Sequence, residues 1–176
     1  IAHELHVKEF RLIAYWSEVE PKEGDYDFDT LDFEMNIVRE AGGRSILALG
    51  LRLPRWPECF EPEWAKSLSI EMKREKLLRY IETTVNRYKT NQEIWAWQIE
   101  NEPFLHGFGE CTKTDAPFLD KEIALVKSLD LRPIIISDSG ELGKWYAAYK
   151  RGDIFGTTMY RTIWSKYIPG GYFTYP

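Results

Sequence analysis

Short apolar runs of strand length alternate with longer stretches of helical period along the chain, and this alternation restricts the architecture more than any other feature. The first run is Phe10 to Trp16. After a turn-rich stretch through Glu23-Gly24-Asp25, a helix is predicted to begin with Asp29 or Thr30 as its cap, to carry acids in its first turn, and to stop at Gly42-Gly43. A second strand follows over Ser45 to Leu49. The longest helix is predicted from about Ser69 to Lys89, where Leu77, Leu78, Ile81, Val85 and Tyr88 form one apolar face. Ile94 to Ile99 makes a third strand, apolar almost throughout except at Gln98, as suits a parallel strand buried on both faces. Leu119, Ile123 and Val126 mark another helix, Ile134 to Ile136 a fourth strand, Lys144 to Arg151 a short helix closed by Gly152, and Ile154 to Met159 a fifth strand.

Strict alternation of this kind implies an α/β fold with a parallel sheet and right-handed crossovers, either a doubly wound open sheet or a (β/α)8 TIM barrel. No linker, low-complexity tract or fixed-period repeat divides the chain, so residues 1–176 read as one unit. Ligand motifs separate the two architectures. Gly107-Phe108-Gly109 has Thr112 where a dinucleotide fold needs its third glycine, Ser139-Gly140-Glu141-Leu142-Gly143-Lys144 has the wrong spacing for a phosphate loop, and no Gly-x-Ser-x-Gly elbow exists. Polar and aromatic clusters recur instead where each strand ends: Trp16-Ser17-Glu18, Arg52 with Trp56, Glu100-Asn101-Glu102, Asp138 to Glu141, and Tyr160-Arg161. In a barrel, that rim is where catalytic residues collect.

Charge and composition narrow the chemistry. The net charge of -5 disfavours nucleic acid and anionic membranes as partners, and Lys73-Arg74-Glu75-Lys76 is a solvated helical face rather than a basic patch. No stretch approaches the length of apolar sequence needed to span a membrane. Cys59 and Cys111 lie outside zinc-ligand spacings, and His3, His6 and His106 do not complete a cluster, so no metal or cofactor is expected. The aromatic content of 15%, with seven Trp, is open to two uses: packing the core, or stacking on the apolar faces of sugar rings.

The residues then begin to resemble a known family. Phe10-Arg11-Leu12, Tyr15-Trp16-Ser17-Glu18-Val19-Glu20-Pro21, Glu23-Gly24-Asp25-Tyr26-Asp27-Phe28 and Leu31-Asp32 are similar to the second strand and following loop of the clan A retaining glycoside hydrolases. Trp97-Gln98-Ile99-Glu100-Asn101-Glu102-Pro103 resembles the end of that clan's fourth strand, where Asn-Glu-Pro carries the general acid/base. The resemblance covers about residues 10–161 and would make the five strands the second to sixth of a barrel.

Such a resemblance implies hydrolysis of O-glycosidic bonds in a β-linked oligo- or polysaccharide with retention of configuration, and a carbohydrate substrate as partner. That chemistry needs one carboxyl group to protonate the leaving oxygen and a second to attack the sugar carbon. Glu102 is expected as the acid/base, with Glu100 two residues away able to favour its protonated form. By resemblance, Asn101 would hydrogen-bond the sugar's 2-hydroxyl and Arg11 would steady the nucleophile. Trp16, Arg52, Trp56 and Tyr160 are candidate sugar contacts, each of which could equally pack under a loop, while Glu18 and Glu20 are expected to cap or bridge the loop after the first strand. Glu141 stays open between helix structure, substrate binding and nucleophilic attack. In the clan the nucleophile is a Glu ending the seventh strand, which places it beyond residue 176 here.

A whole barrel takes about 250 residues. We therefore expect residues 1–176 to form a single incomplete glycoside hydrolase barrel domain without the first, seventh and eighth strands, inactive and weakly stable by itself. Cys59 and Cys111 would be neighbours on one rim, as a disulfide or as two thiols. The rival reading from another class is a non-catalytic carbohydrate-binding protein on a degenerate barrel, which would keep the aromatic rim and lose the attacking carboxylate.

Overall fold

The structure is a computed structural model describing residues 4–105, 109–111, 115–140, 143–164 and 169–174. Five strands, β1 (Glu9–Ile13), β2 (Arg44–Leu49), β3 (Ile94–Ile99), β4 (Ile134–Asp138) and β5 (Ile154–Thr157), pair in parallel in the order β1-β2-β3-β4-β5. Every strand therefore lies beside its sequence neighbour, with no reversal of order of the kind that defines a doubly wound sheet.

The helices between them are α1 (Trp16–Val19), α2 (Asp29–Glu40), α3 (Ile70–Tyr88), α4 (Ala116–Leu129) and α5 (Tyr146–Tyr149), with one 3-10 turn at Glu63–Ala65. Local chemistry sets several boundaries. Ser69 caps α3 by accepting from the Met72 amide, and Asp115 caps α4 by accepting from the Phe118 amide at 2.7 Å. The first strand ends at Ile13, short of the expected Trp16, because the chain turns at Tyr15, whose carbonyl accepts from the Val19 amide and opens α1. The fifth strand ends at Thr157 rather than Met159. A two-stranded antiparallel hairpin, β6 (Thr162–Trp164) and β7 (Tyr172–Thr174), follows it and was not expected.

Register assigns the two faces of the sheet. Leu47 pairs with Trp97 and Leu49 with Ile99, and these four join Ile134 and Ile136 in the buried core. Met35 of α2, Tyr80 and Ile81 of α3, Val126 of α4 and Ala148 of α5 belong to that same core. These four helices thus cover one face. A doubly wound sheet would divide them between two. The opposite face carries the alternate residues, among them Arg11 paired with Ile46, Ala48 with Gln98, and Ser137 with Gly156. One-sided winding with sequential strand order is a five-stranded arc of a (β/α)8 barrel, whose lumen bears Arg11, Gln98 and Ser137.

Candidate active site

The segment leaving β3 departs from strand geometry at two points. Glu100 and Glu102 have φ of 59° and 49°, the left-handed region that non-glycine residues seldom occupy. Hydrogen bonds hold them there. The Glu100 amide donates to the Leu49 carbonyl at 2.9 Å and the Asn101 amide to the Arg52 carbonyl at 2.7 Å, joining this segment to the loop after β2. The Glu100 carboxylate accepts from the Leu51 amide at 2.7 Å and the Arg52 amide at 2.6 Å. Gly50, at φ 133°, lets the two segments approach, since a Cβ there would lie 2.6 Å from Glu100 Oε1.

Glu102 is only 7% exposed. Its amide donates to Ser137 Oγ at 3.1 Å, and its Oε1 accepts from the Thr158 hydroxyl at 2.8 Å. The ends of β3, β4 and β5 therefore meet at this one residue, Ser137 on its amide and Thr158 on its carboxyl group. Burial pushes the Glu102 carboxyl above its ordinary pKa; the charges of Glu58 and Asp138 act in the same direction, opposed by the Thr158 hydroxyl and Arg52. A carboxyl held in this way keeps its proton to higher pH than a surface glutamate, as a proton donor must.

Around it, Gln98 on the lumen face donates through Nε2 to the Glu100 carbonyl at 2.9 Å and to Asn101 Oδ1 at 3.4 Å. Asn101 is buried beside Glu102. Arg11, on the lumen face of β1, lies within electrostatic reach of Glu102, Tyr160, Arg55 and Tyr15. Tyr160 and Trp56 are 62% and 66% exposed, as a surface contact for a sugar requires. The structure thus brings Glu102, Asn101, Arg11 and Tyr160 to one rim.

Two expected sugar contacts are placed elsewhere. Trp16 is fully buried, its ring packed against Trp64 and Tyr80 and its Nε1 donating to Glu20 Oε2 at 2.7 Å, so it offers no face to a ligand. Arg52 is 4% exposed, and its guanidinium is committed to Glu58 and to the Leu105 carbonyl. Glu20 bridges its loop as expected, also accepting from the Gly24 amide at 2.8 Å. Glu141, His3 and His106 lie outside the described residues.

Sequence reasoning did not single out Ser137, Thr158, Glu58 or Glu122. Ser137 and Thr158 belong to no motif and are recognised only once the fold sets them in hydrogen-bond contact with Glu102. Glu122 did leave a signal, because it falls on the apolar stripe of α4 with Leu119, Ile123 and Val126.

Cys59 and Cys111 form a disulfide, which resolves the alternative the sequence left open. It ties the loop after β2 to the loop after β3, where the Glu110 amide also donates to the Pro57 carbonyl at 3.0 Å. The Arg52–Glu58 ion pair lies beneath this junction, with Gly109 against Glu58. A cavity of about 290 Å³ is lined by Arg11, Tyr15, Glu18, Glu34 and Arg55 among others, and Glu102 is not part of its lining. Among the described residues no group of three or more His, Cys, Asp or Glu side chains gathers as a metal site would require, and no helix is long and apolar enough to cross a membrane.

Comparison with known proteins bears out the likeness to clan A glycosidases. The family model of glycoside hydrolase family 42, described as beta-galactosidase, matches residues 1–67. An endo-1,4-beta-xylanase B of Paenibacillus barcinonensis is 33% identical over 90 residues, covering 49% of this chain and 26% of the xylanase. The fold matches the beta-galactosidase of the psychrophilic Marinomonas ef1 at a TM-score of 0.67 and 14% identity, over 90% of this chain and 38% of that one. A catalytic mutant of a family 42 beta-galactosidase from G. stearothermophilus matches at 0.65 and 17% identity, over 89% and 36%. An endo-beta-1,4-xylanase from Gloeophyllum trabeum matches at 0.60 and 18% identity, over 74% and 42%. The chain thus spans about a quarter of the relative it matches in sequence and less than half of each of these structures.

Proposed function

We propose that residues 1–176 are one incomplete barrel domain of a glycoside hydrolase that cleaves β-linked oligo- or polysaccharides with retention of configuration, Glu102 serving as general acid/base. The observation that carries this reading is Glu102 itself: its carboxyl buried, biased toward its protonated form and held by the Thr158 hydroxyl, its amide held by Ser137. Among the proteins that resemble the chain are a xylanase and beta-galactosidases, which favours a β-linked sugar.

In the first half-reaction, Glu102 gives its proton to the glycosidic oxygen while a second carboxylate attacks the anomeric carbon, forming a glycosyl ester and releasing the alcohol. In the second, the Glu102 carboxylate takes a proton from water as that water hydrolyses the ester, and Glu102 returns to its acid form. The attacking carboxylate is to be sought outside these 176 residues. Arg11 would steady it by charge, and Asn101 would accept or donate to the sugar's 2-hydroxyl. Trp56 and Tyr160 would stack on sugar rings, while Glu141 would contribute to substrate binding.

Following a β-linked substrate by NMR in the full-length protein tests the proposal. The product should appear first as the β-anomer; an initial α-anomer would reject the double displacement, and saturable binding without turnover would establish a sugar-binding protein instead.

A further inference from the structure

Glu122 lies in α4 with both carboxyl oxygens buried, and no N–H or O–H donor among the described residues reaches either of them. The group that faces it is the Glu100 carboxyl. Two ionised carboxylates do not stand against each other in a site closed to water; such a contact holds a proton. Glu100 already accepts one backbone amide on each oxygen, from Leu51 and Arg52, and these favour its charged form. The shared proton therefore resides on Glu122. The other ionisable groups around the pair are Tyr80, which lies within electrostatic reach of both carboxyls, Arg52 on the Glu100 side, and Arg74 with its partner Asp115 on the Glu122 side.

We propose that Glu122 is a positioning residue for Glu102: as a carboxylic acid it donates a hydrogen bond to Glu100, holds that carboxylate against the amides of Leu51 and Arg52, and so fixes the loop after β2 against the segment carrying Asn101 and Glu102. The mechanical connection is short. Arg52 accepts from the Asn101 amide at 2.7 Å and donates to the Leu105 carbonyl at 2.6 Å, so the loop that Glu100 anchors grips the Glu102 segment on both sides. Burial pushes the Glu122 carboxyl well above the ordinary range, consistent with an acid that remains protonated at neutral pH. This inference rests on the reading of Glu102 as the acid/base.

Two substitutions in the full-length protein test it. Glu122→Gln keeps a donor for Glu100, whereas Glu122→Leu removes it and keeps the volume. We expect Leu to lower kcat roughly 10- to 100-fold on a β-linked oligosaccharide with KM unchanged, as follows from a misplaced catalytic group, and Gln to restore most of the turnover. The infrared difference between wild type and Glu122→Gln at neutral pH should contain the carbonyl band of a buried carboxylic acid; this holds whether or not the Leu variant folds. Absence of that band, or equal kcat in the Gln and Leu variants, overturns the proposal. A protein inactive on every β-glycoside contradicts the reading of Glu102, while the acid band still decides where the proton lies, so the two failures are distinguished.

Discussion

The Thr158 hydroxyl donates to Glu102 Oε1 at 2.8 Å, joining the carboxyl that follows β3 to the residue that follows β5. This bond stabilises the charged form of the carboxyl and so works against the burial that favours the neutral one. Thr158→Val keeps the branched shape and deletes the donor. The Glu102 pKa should rise, and the alkaline limb of the pH profile of kcat/KM should move to higher pH.

Glu58→Gln should move that limb the other way. The Glu58 charge raises the Glu102 pKa, and its loss also releases the Arg52 guanidinium, which lowers it. Both changes favour ionised Glu102, so activity should fail at lower pH than in wild type. Because Arg52 is then left buried without its charged partner, thermal unfolding should show a loss of roughly 3–5 kcal/mol.

Stability should also depend on pH in two opposite senses. Glu102 and Glu122 have raised folded-state pKa values, so the folded protein binds more protons than the unfolded chain; their contribution is full below the ordinary carboxylate range and is lost as pH rises through the folded values. Asp153 is the reverse case, lowered by Lys127 and the Ile134 amide, with a contribution lost as pH falls. Denaturant titrations should show that Glu122→Gln flattens the decline above the ordinary carboxylate range and leaves the acid side unchanged.

Removing the disulfide should destabilise the rim. Cys59 and Cys111 are 52 residues apart, and closing a loop of that length corresponds to roughly 4 kcal/mol of unfolded-state entropy in the chain-entropy model. Cys59→Ser with Cys111→Ser should lower the unfolding midpoint. An unchanged midpoint would show that the Arg52–Glu58 junction holds without the bridge.

Much of the frame was legible from periodicity. Ile94 to Ile99 is an apolar run too short for a helix, and Ser69 followed by a long stripe ending at Tyr88 fixes a capped helix, so β3 and α3 fall where expected. The hairpin of β6 and β7 was not legible, because strands of three residues are too short to establish a period. At the candidate site, Glu102 stands out from its Asn-Glu-Pro context and Arg11 from the motif around it. Trp16 stays open between two uses in the sequence because an aromatic residue at a strand end looks the same there whether it faces a ligand or, as here, lies beneath α3 against Tyr80. Thr158 and Ser137 carry no local signal, since their importance comes from the hydrogen bonds they make to Glu102 across the sheet rather than from spacing along the chain.

The proposed reaction turns on one proton. In the full-length protein, Glu102→Gln should be compared with wild type on two β-glycosides of the same sugar, one with a poor alkyl leaving group and one with an activated aryl group. With Glu102 as proton donor, turnover should fall roughly 10² to 10⁴ fold on the alkyl substrate and much less on the aryl one, which departs without protonation. An unchanged rate on the alkyl glycoside would contradict it.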